Sequence, residues 1–132
     1  MGRIIVQATI TNALDRARQI VCLGLVDTGS TGLVLPNEWK ERLGNLETLR
    51  MVSMETADQR VVHGEVCGPV RVELEGFPPV MTEVTFLAME PVNGGHEPLI
   101  GYIVLEQSQA AVDMVSHRLV RVPYVDLKCV AA

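Results

Sequence analysis

The chain has 132 residues, 11 Lys and Arg against 16 Asp and Glu, a formal charge of -5 and no long basic run, which argues against nucleic acid as the main partner. Hydrophobic residues make up 48% but aromatic ones only 4%, so a single domain spanning 1–132 would carry a core built mostly of aliphatic side chains. No apolar run reaches the length of a membrane span, and the N-terminus lacks a signal-peptide layout.

Read in chain order, "RIIVQATI" and "QIVCLGLV" have the β-branched, apolar character of strands, joined by the polar stretch "TNALDRAR". "LVLP" is a short apolar run ended by Pro36. "NEWKERLG" has a helix start and stop: Asn37 as N-cap, Glu38 in the first turn and Gly44 at the end. Trp39 and Leu43 share one face of it, and Trp39 reads as a core anchor.

The segment from Leu49 to Gly76 reads as a long hairpin whose polar turn is Ala57, Asp58, Gln59 and Arg60. In "VRVELE", Val70, Val72 and Leu74 alternate with Arg71, Glu73 and Glu75, which places the two sets on opposite faces of a strand. "VMTEVTFLAM" is another strand and "EPVNGGHE" a loop. Leu99, Ile100, Ile103, Val104 and Glu106 suit a short helix entered through Gly101. "AAVDMVSHRLVRVP" closes the chain as a hairpin turning near Ser116 and His117, with Asp113 at its edge. Met51, Met54, Met81 and Met89 read as core filling, with an apolar groove as the other use for such side chains. The sum is a mostly-β fold with one or two short helices, and no βαβ alternation points to parallel pairing.

Three cysteines, Cys22, Cys67 and Cys129, are odd in number and widely spaced, which fits a reducing compartment, the cytoplasm, better than a disulfide framework. "CVAA" at the end formally fits a prenylation box, but no polybasic stretch precedes it. His63, His96 and His117 are scattered as surface or loop histidines are, and no Cys/His set has metal-ligand spacing. Neither a metal nor a cofactor is expected.

"GLVDTGSTGLVLP" places one acid, Asp27, among aliphatic residues. A lone carboxylate in apolar surroundings is costly unless it is paired, hydrogen-bonded or protonated. Gly29 permits a tight turn and close approach of a substrate, and Thr28 carries a hydroxyl that stays satisfied across an interface. The tripeptide alone also suits an ordinary strand-ending turn. Two facing carboxylates that share one proton are able to activate a water and protonate a leaving group. The chain has one Asp-Thr-Gly, and a two-fold dimer supplies the second.

"LVDTGSTGLVLP" taken with "EPLIGYIVLEQSQAAVDMVSHRLV" resembles the retropepsin-like aspartic proteases, most of all their small single-domain bacterial and archaeal members. The resemblance implies a retropepsin barrel active as a homodimer on peptide or protein substrates, with neither nucleic acid nor membrane as partner. Asp27 would be catalytic, one from each subunit, in a loop completed by Thr28, Gly29 and Ser30. Leu99, Ile100 and Gly101 would be the second structural signature, and the hairpin tip Ala57, Asp58, Gln59 and Arg60 would be a flap over the peptide. Thr31 or Gly32, and Tyr102, stand where retroviral members carry an acid and an arginine. The other reading is a non-catalytic dimerisation or peptide-binding module on the same fold.

Overall fold

The computed structural model describes residues 3–55, 58–91 and 95–123. Nine strands are present among them: β1 (Ile5–Asn12), β2 (Asp15–Val26), β3 (Leu33–Pro36), β4 (Glu47–Glu55), β5 (Val61–Leu74), β6 (Val80–Leu87), β7 (Leu99–Ile100), β8 (Ala110–Asp113) and β9 (Arg118–Arg121). A 3-10 helix, Asn37–Leu43, follows β3, and one α-helix, α1 (Tyr102–Gln107), follows β7.

Seven strands form one sheet in the order β1-β2-β7-β3-β6-β5-β4, and an added β1–β5 pairing closes six of them into a barrel. The closure depends on the length of β5. Its 14 residues give it three partners: β4 along its first half, β1 along its second half, and β6 from Glu65 to Val72. The mostly aliphatic core fills this barrel: Ile10, Ile20, Leu33, Leu35, Val70, Val72, Leu74, Val84 and Ile100 are all at most 1% exposed. Phe86 is the largest fully buried side chain. The alternation read in "VRVELE" is present as expected, with Val70, Val72 and Leu74 inside.

Several local expectations need correction. "TNALDRAR" is not a connecting loop. β1 runs to Asn12 and β2 starts at Asp15, leaving a turn of Ala13 and Leu14. Buried Asn12 accounts for this tight turn. Its amide nitrogen donates to the carbonyls of Leu43 (2.8 Å) and Asn45 (3.2 Å), and its side-chain oxygen accepts from Leu14 N–H (2.9 Å). Asn37 does not cap its helix, because Pro36 occupies the N-cap and no side chain bonds there. Gly44 ends that helix as expected, its N–H bonding to the Glu41 carbonyl.

Leu99 and Ile100 are strand, and α1 begins only at Tyr102. Parallel pairing does occur, between β2 and β7 and between β3 and β6, within an otherwise antiparallel sheet. Both pairs join strands far apart in sequence, so no βαβ signal announces them. The closing hairpin is β8–β9, and Asp113 braces its turn through Val115 N–H (2.9 Å) and the Ser116 hydroxyl (2.7 Å). Those bonds, the Ser116 hydroxyl first, hold the Asp113 carboxyl below its ordinary pKa.

Trp39 is half-buried against the core; Arg42 covers its ring at 5.1 Å and His96 meets it edge-on at 6.4 Å. His96 Nε2 lies 2.7 Å from Glu38.

Candidate active site

The Asp27 loop leaves the barrel at the end of β2 and returns as β3, and β7 lies between these two strands. β7 pairs in parallel with Leu25–Val26 and antiparallel with Leu33–Val34, so it grips both ends of the loop at once. Asp27 N–H donates to the Ile100 carbonyl (3.0 Å), and Gly101 N–H to that of Gly32 (3.0 Å). Tyr102 and Ile103 N–H donate to the carbonyls of Ser30 (2.9 Å) and Thr31 (3.0 Å). These last two are N–H groups of the first turn of α1, which have no partner inside the helix. Here the loop accepts from them.

The aspartate is held inside this strapping. Ser30 N–H closes a turn on the Asp27 carbonyl (3.0 Å), and Gly29 N–H donates to Asp27 Oδ1 (3.0 Å). A carboxylate that accepts a backbone N–H is fixed in direction. Asp27 and Ser30 are half-buried, whereas Thr28 and Gly29 are exposed at the loop crest. Gly24, on the strand leading in, makes room for β7: a Cβ there would stand 2.6 Å from Ile100 Cδ1.

The residues singled out from sequence fall in two places. Asp27, Thr28, Gly29 and Ser30 come together with Leu99, Ile100 and Gly101 through the backbone bonds above. Asp58, Gln59 and Arg60 lie at the far end of the β4–β5 hairpin, where Gln59 takes a left-handed φ of 66° and Arg60 Nε meets Asp58 at 2.8 Å. Ala57 lies outside the described residues.

Beside the loop is a cavity of about 420 Å³, lined by Thr31 and Gly32 of the loop, Val52 and Met54 of β4, Met81 of β6 and Ile103 of α1, among others. The methionines therefore depart from the core-filling expectation. Met51 and Met81 are 67% and 56% exposed, Met54 and Met89 are half-buried, and Met54 and Met81 face the cavity. The two-residue period that points Val52 and Met54 to one side of β4 was visible in the sequence. The strand that they would face was not.

A closed, mostly antiparallel barrel with an Asp-Thr-Gly loop strapped by a second aliphatic-aliphatic-Gly segment defines a retropepsin-like aspartic protease. The aspartyl protease family matches residues 7–104, and the chain belongs to that family, a hydrolase of the aspartic endopeptidase type. Among solved structures it is similar to the EIAV protease complexed with the inhibitor HBY-793, with 17% sequence identity and a TM-score of 0.57 over 80% of this chain and 88% of that one. No curated protein sequence matches it.

Proposed function

We propose that the chain, as one domain over 1–132, cleaves peptide bonds as a two-fold homodimer in which Asp27 faces the partner's Asp27. The strapped loop carries this reading. It presents one oriented carboxylate at a crest whose outer residues, Thr28 and Gly29, are exposed and available to a second copy. Two carboxylates at such an axis share one proton. The ionised one takes a proton from water, whose oxygen attacks the scissile carbonyl carbon. The protonated one gives its proton to the carbonyl oxygen. The neutral diol then gives one hydroxyl proton to the carboxylate that is now ionised as its C–N bond breaks, and the amine leaves with the proton that the other carboxyl took from water, which restores the singly protonated dyad.

In this reading the β4–β5 hairpin is the flap. Its inner residues Val52 and Met54 border the cavity beside the Asp27 loop, so its closure would exclude water from the reacting bond. The polar tip of Asp58, Gln59 and Arg60 would close over the peptide. The odd cysteine count supports a reducing compartment, the cytoplasm, as the place where the enzyme works.

The test is cleavage of a diverse peptide library from acid to neutral pH, by wild type and Asp27→Asn side by side, at a concentration where the dimer has been verified by sedimentation. Loss of cleavage by about 10²-fold to 10⁴-fold with the dimer retained is expected. Full activity in Asp27→Asn would overturn the assignment. Absence of cleavage by both proteins, with peptide still bound, would point to a binding module.

A further inference from the structure

The cavity beside the Asp27 loop is mostly apolar, and an ion pair on its wall joins two strands that are not neighbours. Arg50 comes from β4 and Glu83 from β6, on opposite sides of β5. The guanidinium grips the carboxylate with two prongs, at 3.1 and 2.5 Å, across β5, on which buried Val66 stands opposite Arg50. Both side chains are about half exposed, so the pair borders the cavity within reach of a ligand.

We propose that Arg50 and Glu83 are specificity-determining residues: matched, they leave this subsite without net charge, so that it selects a large apolar side chain of the peptide. The inference rests on the peptidase reading above and names what that site accepts. An acidic or basic side chain entering the cavity sheds water against Val52, Met54 and Ile103. Its compensating partner, Arg50 or Glu83, is already held by two bonds. Drawing one away leaves the other unpaired. A leucine, methionine or phenylalanine side chain gains the same burial and disturbs neither. Removing either member exposes a single charge and retunes the subsite toward the opposite sign.

The experiment compares wild type, Glu83→Gln, Arg50→Gln and the swapped double variant Arg50→Glu/Glu83→Arg on peptides that differ at one position. Relative kcat/KM is read for each, and so is binding of the same peptides to each protein carrying Asp27→Asn. Circular dichroism confirms the fold of each variant. At one position, wild type should prefer Leu, Met or Phe over Glu and Lys by about tenfold or more. Glu83→Gln should raise the Glu-to-Lys ratio about fivefold, Arg50→Gln should lower it about fivefold, and the swap should restore the wild-type ranking. Unmoved ratios in both single variants, with peptides still cut, would overturn the selectivity and leave the peptidase standing. The expected ranking in binding, without cleavage, would uphold the selectivity and remove the peptidase. Peptides neither cut nor bound would overturn both.

Discussion

A Cβ placed on Gly101 would stand 2.4 Å from the carbonyl oxygen of Gly32 and 2.6 Å from its nitrogen. The neighbours are backbone atoms of the Asp27 loop, which cannot swing aside as a flexible side chain can. Gly101→Ala must therefore push the loop off β7 and stretch the Gly101–Gly32 bond. We expect a loss of about 3 kcal/mol or more in urea unfolding. A change within about 0.5 kcal/mol would mean that the loop is not held by this contact.

Asn12, 1% exposed, ties the β1–β2 turn to the end of the 3-10 helix with two hydrogen bonds and braces the turn itself with a third, from Leu14 N–H. Asn12→Ala leaves the Leu43 carbonyl without that donor inside the protein. Destabilisation of about 2 kcal/mol is expected by thermal or denaturant unfolding. Asn12→Asp keeps the acceptor for Leu14 but loses the donor, so it should be no better than Ala.

Glu65 of β5 accepts from Lys40 Nζ at 2.6 Å and from the Thr48 hydroxyl, and these bonds, Lys40 first, hold its carboxyl below the ordinary value of 4.5. The unfolded chain then binds a proton at higher pH than the folded one. The contribution is fully present above pH 4.5 and is lost as pH falls through the lower folded value. Glu65→Gln should flatten the acid limb of the stability curve and change little of its slope near neutrality. The measurement is the urea midpoint across acid pH, and an unchanged acid slope would contradict the assignment.

Cys22 lies half-buried on β2, and burial pushes its thiol from 9.0 up to about 11, with Arg42 opposing weakly. Thiolate is the reactive form, so alkylation at neutral pH should run about a hundredfold slower than for an ordinary thiol. Mass spectrometry of iodoacetamide-treated native protein reads this site by site. Rapid labelling at Cys22 would show that β2 opens there.

The pH dependence of cleavage tests the shared-proton dyad. In the proposed dyad only the singly protonated pair would be active, so kcat/KM should trace a bell with two macroscopic values that belong to the pair. A flat profile from acid to neutral would remove the dyad.

The hairpins, the 3-10 helix region and the strand alternation of Val70, Val72 and Leu74 were legible because they depend on near neighbours and a two-residue period. The short turn at Ala13–Leu14 was missed because the buried Asn12 that holds it bonds across to Leu43 and Asn45, some thirty residues away. Leu99 and Ile100 suited both a short helix and a core strand leading into one, because aliphatic spacing over so few residues does not separate helix from strand. β2 and β3 decide it by pairing with them.

By itself the sequence determined the chemistry on offer: one Asp-Thr-Gly turn, a second aliphatic-aliphatic-Gly segment, an aliphatic β-rich chain and no metal-ligand spacing. The tertiary structure alone decided how these meet. The parallel pairing of β2 with β7, the three partners of β5, the methionines facing a cavity and the Arg50–Glu83 pair all join residues far apart in the chain. Such contacts leave no local period or motif, since their stability comes from closing the barrel and burying its core rather than from any one segment.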